Sequence, residues 1–283
     1  WRISQESFMK GIRSWLDDLK IRASWGQTGS ATGLGLYPSY TLISTGGLIL
    51  NNTYQQIASL KTIGNQELTW EHSDMLNFGL DVKVLNSRLN FTGEYYIKNT
   101  KDILLEMPVP LEYGFGKPNM NVGEVRNKGW ELSLSWNDRI NDFGYSISGN
   151  LSDNRNEVVD LGDTGPWKGS NTYTEVGLPF NSIYGYESMG LFQSDEEVAN
   201  APFQNSNTAA GDIRYKNQNG DDKIDANDRV VIGDPNPHFL YGVNLGFDYK
   251  NFDLNMFFQG IGQKDRVIMD NFVRPFYDSS IFE

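Results

Sequence analysis

Apolar and polar residues alternate along several segments of this chain with the period of two that is typical of β-strands. In residues 239–249, apolar side chains such as Tyr241 and Leu245 share one face, while polar and glycine positions such as Asn244 occupy the other. The segments that carry this pattern are 19–25, 76–84, 89–98, 130–136, 143–151, 239–249 and 252–258. We therefore predict an all-β fold of antiparallel strands, each with one apolar and one polar face.

The connections between these strands alternate in length. Those predicted at 85–88, 137–142 and 250–251 are short, and those at 26–69, 106–123 and 157–237 are long. The first long connection has room for a hairpin of its own. We expect the short turns at one end of the sheet, the two later long connections at the other, and strand 143–153 paired with strand 239–249 across 157–237. Bacterial outer-membrane barrels are built in this way.

A soluble β-sandwich shows the same alternation, so the pattern alone leaves both architectures open. Aromatic residues near strand ends fit the interfacial girdles of a membrane barrel; they are Trp130, Trp136, Phe239 and Tyr249. In a barrel, one outward apolar band would contain Leu80, Leu132, Ile147, Leu245 and Leu254. The opposite face would line a lumen, or in a sandwich meet solvent, with Lys20, Arg22, Glu94, Glu131 and Asp248.

Two short helices are also predicted. Residues 4–16 place Phe8, Ile12 and Leu16 on one stripe behind Ser4 as the N-cap. Ser194 and Glu197 match a capping box, which predicts a helix near 195–200.

Composition excludes several classes of protein. Asp and Glu number 36 against 24 Lys and Arg, giving a net charge of −12, so a nucleic-acid partner is not expected. With no cysteine and two histidines, the chain cannot form disulfides, thiolate metal sites or a histidine-rich metal site. No apolar run approaches the roughly 18 residues of a membrane helix. The chain opens on Trp1, which suggests a piece of a longer protein.

Catalytic motifs do not appear in the sequence. We find no GxSxG nucleophile elbow, no HExxH zinc helix and no Walker loop. Carboxylates are too numerous for any pair to indicate a glycosidase. We therefore expect no enzymatic activity.

Residues 217–228 are spaced like the calcium loop of an EF-hand. The expected oxygen ligands are Asn217, Asn219, Asp221, the Lys223 carbonyl, Asp225 and Asp228, at positions 1, 3, 5, 7, 9 and 12. Position 1 lacks a charge, and position 6 holds Asp222 where the sharp turn prefers glycine. The alternative is an Asx-rich surface turn held by its own side-chain hydrogen bonds.

The 157–237 segment carries aromatic residues among Asn, Gly and Ser. Such rings suit contacts with sugar rings or peptide side chains, and the alternative is packing within the loop. The candidate substrate contacts are Trp167, Tyr173, Tyr184, Tyr186 and Phe192.

Several stretches, taken in order, resemble the SusC/RagA family of TonB-dependent outer-membrane transporters. They are LDDLKIRASWGQTGS (16–30), NQELTWE (65–71), YYIKNTKDILLEMPVP (95–110), NVGEVRNKGWELSLSW (121–136), GDIRYKNQNGDDKIDANDRVVIGDPNP (211–237) and FDLNMFFQG (252–260). Each motif is weak alone, whereas the ordered set is specific and spans nearly the whole chain.

The resemblance implies a closed barrel of 22 antiparallel strands with an N-terminal plug, and this chain would hold about eight of those strands, from the later part of the barrel. The plug, the TonB-contacting segment and the first strands would lie outside it. The last strands would lie outside it too, since residues 273–283 do not alternate. The resemblance also implies an importer of glycan or peptide fragments in the bacterial outer membrane, with TonB and a SusD-like surface lipoprotein as partners. From the residues alone, the rival is a soluble extracellular carbohydrate-binding β module braced by calcium.

Overall fold

The computed structural model of the protein describes residues 1–32, 37–106, 114, 116 and 118–268. The chain folds into two compact units. We call the first the sheet unit, which comprises Trp1–Pro166, Glu175–Leu178 and Pro237–Gln263. The second, the loop unit, comprises Trp167–Thr174, Pro179–Asn236 and the residues from Lys264 onward. Residues 273–283, which we predict do not form one of the last barrel strands, lie outside the described residues.

The described part of the chain is mostly strand. In chain order the strands are β1 (Leu16–Ser30), β2 (Leu42–Leu50), β3 (Thr53–Thr62), β4 (Glu71–Val84), β5 (Leu89–Lys101), β6 (Leu104–Glu106), β7 (Asn119–Asn121), β8 (Glu124–Ile140), β9 (Phe143–Asp160), β10 (Trp167–Lys168), β11 (Thr172–Thr174), β12 (Ser182–Tyr186), β13 (Ser188–Leu191), β14 (Ile213–Tyr215), β15 (Arg229–Gly233), β16 (His238–Tyr249) and β17 (Phe252–Gln263).

One seven-stranded sheet dominates the sheet unit. Its order is β1-β4-β5-β8-β9-β16-β17, and every neighbouring pair is antiparallel. Strand β9 pairs with β16, for example through Ile147 and Leu245, although the whole loop unit lies between them in sequence. The predicted pairing across 157–237 is therefore confirmed. All seven strands are longer than the alternation alone had indicated.

The short turns lie at one end of this sheet, as predicted. They join β4 to β5, β8 to β9 and β16 to β17. The second is shorter than predicted, because β8 and β9 extend until only Asn141 and Asp142 separate them. Left-handed backbone at Asn86, Asn141 and Lys250, with φ of 58°, 53° and 54°, reverses the chain tightly. The chain leaves β9 and returns to β16 at the opposite end.

The apolar face of the seven-stranded sheet is not a buried core. Leu80, Leu132, Ile147 and Leu254 are exposed and Leu245 is half-buried; Leu132, in the middle of the sheet, keeps 39% of its surface accessible. Strand register places Leu80 and Leu132 in one row that continues to Leu151 and Tyr241. Leucines in the core of a sandwich would be buried, so these exposed fractions do not fit a sandwich.

Two hairpins lie in the long connections of the sheet unit. Strands β2 and β3 form an antiparallel hairpin within 26–69, turning through Asn51 and Asn52 with φ of 49° and 60°. Strands β6 and β7 pair across the predicted 106–123 connection, much of which lies outside the described residues. The hairpin that 26–69 had room for is thus present.

The loop unit contains more regular structure than the sequence predicted. Strands β10, β11, β12 and β15 form one small sheet, and β13 pairs with β14. These strands have two to five residues, too few to show a recognisable alternation. This unit buries side chains of its own; they include Thr174, Ser182, Tyr184, Phe192 and Asp228.

The predicted helix at 4–16 is wrong. Two 3₁₀ segments, Ile3–Gln5 and Ser7–Ile12, take its place, and Leu16 begins β1 by pairing with Val84. Ser4 donates its hydroxyl to Asp18 at 2.8 Å instead of capping a helix. Sheet pairing therefore outweighs the weak helical stripe.

The second predicted helix is present at Asp195–Ala199. The hydroxyl of Ser194 accepts the Glu197 N–H at 3.2 Å, as expected. The Glu197 carboxylate accepts the Gln193 N–H at 2.9 Å, whereas a capping box would use the N–H of Ser194. None of the helices in the described residues is long and apolar enough to cross a membrane.

Candidate functional site

The polar face of the large sheet collects the five side chains predicted to line a lumen. Register places Arg22, Gly79, Glu94, Glu131 and Ser152 in one row across five strands. Lys20 lies in the next row, and Asp248 lies on the same face near the short turns. The alternation thus predicted correctly which side chains share this face.

An ion-pair network on the polar face connects β1, β4 and β5, which are neighbours in the large sheet. The Arg22 guanidinium donates to both oxygens of Asp81, at 2.8 and 3.0 Å, and lies 2.8 Å from a Glu94 oxygen. Asn77 donates to the other Glu94 oxygen at 3.1 Å. Gly79 permits this arrangement, because a Cβ there would lie 2.7 Å from the guanidinium carbon. Arg22 can therefore lie flat across β4 to reach β5.

A cavity of about 810 Å³ opens on the same face, toward the end opposite the short turns. Glu94, Glu131, Asn150 and Gln259 supply polar groups to its lining. Leu240, Phe257 and Ile261, all exposed, supply apolar surface beside them. Glu94 is held by Arg22, whereas the exposed Glu131 carboxylate has no ion-pair partner among the described residues. The cavity thus combines a free negative charge, amides and apolar surface.

Three of the candidate substrate contacts, Tyr173, Tyr184 and Tyr186, pack against other side chains of the loop unit. The Tyr173 and Tyr184 rings stack 5.0 Å apart, and the Arg229 guanidinium lies 4.4 Å from the centre of the Tyr184 ring. Tyr186 packs against Tyr215 with ring centres 5.1 Å apart. These contacts support packing for Tyr184, which is almost completely buried.

Phe192 and Trp167 lie elsewhere in the loop unit. Phe192 is only 2% exposed, and its buried ring offers no face to a ligand. Trp167 is half-buried on β10, opposite Thr174. Substrate contact by Trp167, Tyr173 and Tyr186 stays a prediction.

The loop at 217–228 is held by hydrogen bonds between its own side chains and backbone. Asn217 accepts the Gly220 N–H at 2.6 Å and donates to the Asp221 carbonyl. The Asp221 N–H donates to the Asn219 side-chain oxygen at 3.0 Å, and the Asn219 side-chain amide donates to the Asp221 carboxylate at 2.9 Å. The left-handed turn falls on Gly220, with φ of 76°, rather than on Asp222, which is exposed.

Asp228 closes this loop. Its buried carboxylate accepts N–H bonds from Gln218 and Asp225, both at 2.8 Å. These N–H groups lower the pKa of Asp228. The Lys223 ammonium, 2.6 Å from the Asp225 carboxylate, lowers the pKa of Asp225 in turn.

The predicted ligand set offers the oxygen donors that calcium prefers. Its carboxylates already accept N–H bonds or the Lys223 ammonium, which a cation would have to displace. Among the described residues, no three His, Cys, Asp or Glu side chains are grouped to hold a metal ion. The calcium site stays a prediction.

Comparison with known proteins decides the family. The model of the TonB dependent receptor-like β-barrel family matches residues 11–261 of this chain. The chain belongs to this family. This match, together with SusC and RagAB among the relatives described next, confirms the resemblance to the SusC/RagA family.

Curated relatives of this TonB-dependent receptor chain include TonB-dependent receptor P39 of Formosa agariphila, 33% identical over 91% of this chain and 28% of the relative. TonB-dependent receptor SusC of Bacteroides thetaiotaomicron is 28% identical over 90% of this chain and 26% of its own length. The chain thus spans about a quarter of these relatives.

A solved relative is similar in fold. The RagAB peptide importer in its open-open state has a TM-score of 0.76 and 26% identity, covering 93% of this chain and 28% of that one. The seven-stranded sheet is therefore a segment of a transmembrane β-barrel. In such barrels apolar side chains face lipid and polar side chains face the lumen. We therefore expect the exposed Leu132 row to face lipid and the Arg22 row to face the lumen.

One buried pair in this TonB-dependent receptor chain was not predicted. His238 Nδ1 lies 2.6 Å from Asp153 Oδ1, both side chains are buried, and Arg155 lies 3.5 Å from the other Asp153 oxygen. Next to it, Phe239 has a left-handed φ of 54°, so the regular alternation of β16 starts at Leu240, one residue later than predicted. Eighty-five positions separate the paired residues, and nothing local in the sequence indicates their contact.

Proposed function

We propose that the intact protein is an outer-membrane active transporter of the SusC and RagA type, which imports nutrients such as glycan or peptide fragments. The observation that carries this proposal is the two-faced sheet, with an exposed apolar face behind a charged face that holds a cavity of about 810 Å³. A polar inner face lets a solute pass through water inside a membrane barrel. The soluble-module alternative loses support, because its apolar face would need a covering layer.

Energy for uptake would come through TonB, which in this family couples transport to the proton gradient of the inner membrane. Membership of the TonB-dependent receptor-like family supports this partner. The polar face of the present strands would then form part of the wall along which the substrate moves.

A surface lipoprotein of the SusD type is the second proposed partner. Support comes from the β2–β3 hairpin, which exposes apolar side chains on both faces. The more exposed face contains Ile43, Ile49, Tyr54 and Leu60, with Ile49 70% and Tyr54 71% accessible, and the other contains Leu48, Leu50 and Ile57. An isolated two-stranded hairpin is at best marginally stable in water, so a covering partner would stabilise it. We propose that the more exposed face contacts the lipoprotein lid.

Co-purification tests the lid contact. Full-length transporter carrying Ile49→Asp and Tyr54→Asp should lose a tagged lipoprotein that the wild type retains. Ser44→Asp and Ser59→Asp place the same charges on the opposite hairpin face and should retain it. Equal retention by both variants would contradict the contact.

Deletion of the gene tests the function itself. The mutant strain should lose growth, and uptake of labelled fragments, on one member of a panel of oligosaccharides and peptides. The full-length protein should fractionate with outer membranes and require detergent. Unchanged growth on every panel member, or recovery in the aqueous fraction, would reject the proposal.

A further inference from the structure

A cavity of about 590 Å³ lies at one end of the four-stranded sheet in the loop unit. Its size is within the range of small-ligand sites, about 300–1,000 Å³. Thr172, Ile183 and Gly233 are register partners across β11, β12 and β15, and the first two line the cavity. The segment Lys264–Val267 forms the facing wall.

That wall is fixed to the end of the sheet. The Asp265 N–H donates to the Asp234 carbonyl at 3.1 Å, and the Asp234 N–H donates to the Asp265 carboxylate at 2.9 Å. Gly233 lets the segment approach, because a Cβ there would lie 2.8 Å from the Asp265 Cβ. One oxygen of the Asp265 carboxylate thus accepts a backbone N–H, and its sequence neighbours Lys264 and Arg266 line the cavity together with it.

These two cations lack acidic partners within the described residues. Two other lysines of the loop unit are paired with acids, since Lys216 lies 2.9 Å from Glu187 and Lys223 lies 2.6 Å from Asp225, and Lys168 lies 5.8 Å from the centre of the Tyr173 ring. No such ion pair forms at Lys264 or Arg266 in the described part of the chain. Two unpaired cations at one cavity stand out in a chain of net charge −12.

A neutral hydrogen-bond donor faces the same cavity. Asn181 lines this cavity and has a left-handed φ of 57°. Its backbone N–H donates to the Thr174 hydroxyl oxygen at 3.1 Å, and the Thr174 hydroxyl donates to the Asn181 side-chain oxygen at 3.4 Å. The amide nitrogen of the Asn181 side chain has no hydrogen-bond acceptor among the residues described. Two cations and one amide therefore offer donors to an anion.

We propose that this cavity binds a side-chain or terminal carboxylate of an acidic peptide, and so that acidic peptides are substrates of the importer. The inference rests on the proposed transport function. Guanidinium and ammonium groups bind carboxylates through charge-assisted hydrogen bonds. The rest of the lining favours a peptide over a sugar, since Ile183, Pro235 and Val267 are aliphatic and no described lining residue is aromatic.

Binding of two matched peptides to the full-length transporter in detergent tests the proposal. The probes are a fluorescent octapeptide containing four aspartates and its asparagine counterpart, measured by anisotropy at low and high salt. The acidic peptide should bind the wild type at least ten-fold more tightly, and salt should remove this preference. Lys264→Ala combined with Arg266→Ala should weaken its binding about ten-fold.

Lys216→Ala is the matched control, because it removes a cation of the same unit that is already paired with Glu187; it should leave affinity unchanged. Arg266→Glu should shift preference toward a lysine-containing peptide. Heat-modifiable migration of the barrel on gels verifies that each variant is folded.

Several results would overturn the site. Unchanged affinity in the folded double variant would do so, as would equal loss in Lys216→Ala. If oligogalacturonate binds through the two cations and the peptides do not, the peptide assignment is wrong. Absence of peptide binding to the wild type also rejects it, whereas the growth panel still tests transport separately.

Discussion

The sheet unit and the loop unit place their apolar side chains differently, as expected for segments that meet different solvents. In the sheet unit, long strands expose leucines such as Leu80 and Leu132 on one face, and lipid is the environment that such a face requires. In the loop unit, strands of two to five residues surround a small interior that buries Tyr184 and Phe192. The comparison shows that exposed apolar surface indicates the solvent a segment meets, rather than incomplete folding.

The largest expected effect separates the two kinds of apolar residue. Phe192→Ala should destabilise the loop unit by about 3–5 kcal/mol, because it empties a buried site. Phe203→Ala, in the same unit but 62% exposed, should change stability by less than about 0.5 kcal/mol. Hydrogen exchange of the loop unit in the full-length protein measures both. Equal exchange in the two variants would show that Phe192 does not hold this unit together.

A charge on the lipid face should have the next largest effect. Leu245→Arg should cost about 2–4 kcal/mol in a lipid bilayer if it lies near the midplane. Asn244→Arg, one residue away and on the lumen face, should be mild. Chemical unfolding from lipid vesicles provides the measurement. Similar losses for both variants would mean that the two faces do not differ in solvent.

Acid should open the 217–228 loop while the large sheet stays folded. The pKa of Asp228 in the folded protein is below its ordinary value of 3.8, mainly because N–H groups of Asp225 and Gln218 bind the carboxylate. A lowered pKa stabilises the loop fully above the ordinary value, and this stabilisation is lost as pH falls through the folded pKa.

Hydrogen exchange, corrected for intrinsic rates, should therefore show protection at pH 7 and its loss below about pH 4. Asp228→Asn should show weak protection at both pH values. A wild-type loop that keeps its protection at pH 2 would contradict this role for Asp228.

Calcium gives the smallest expected effect. A site of millimolar affinity would stabilise the loop by about 1.4 kcal/mol at a calcium concentration ten times its Kd. Calorimetry of the purified protein should detect calcium heat that Asp228→Ala removes. Lys223→Ala should strengthen binding, because it removes the ammonium that competes for Asp225. If neither the wild type nor Lys223→Ala shows calcium heat, the loop does not bind calcium and is only an Asx-rich turn.

The sheet could be predicted from the sequence because apolar and polar residues alternate regularly along its strands. Each strand repeats the same two-residue pattern many times, so the faces of Arg22, Glu131 and Leu132 follow from counting. The pairing of β9 with β16 followed from neighbour-to-neighbour winding. The helix wrongly predicted at 4–16 shows the limit, since pairing of Leu16 with Val84 is a long-range contact.

The loop unit could be predicted only in part. The helix at Asp195–Ala199 has a local cap signal in Ser194, and the prediction succeeded. The stack of Tyr184 on Tyr173, the burial of Phe192 and the His238–Asp153 pair depend on contacts between distant segments. Composition alone could not distinguish packed aromatic residues from ligand contacts.

Quenching by lipid tests the central claim most directly. Because this chain contains no cysteine, single cysteines at Leu245, Leu80, Asn244 and Asp81 can each carry a bimane label in the full-length protein, after replacing any cysteine outside the chain. In vesicles of brominated lipid, labels at Leu245 and Leu80 should be quenched strongly. Labels at Asn244 and Asp81 should instead be quenched by aqueous iodide. Equal lipid quenching at all four positions, or the reverse pattern, would contradict a sheet with one face to lipid and the other to the lumen.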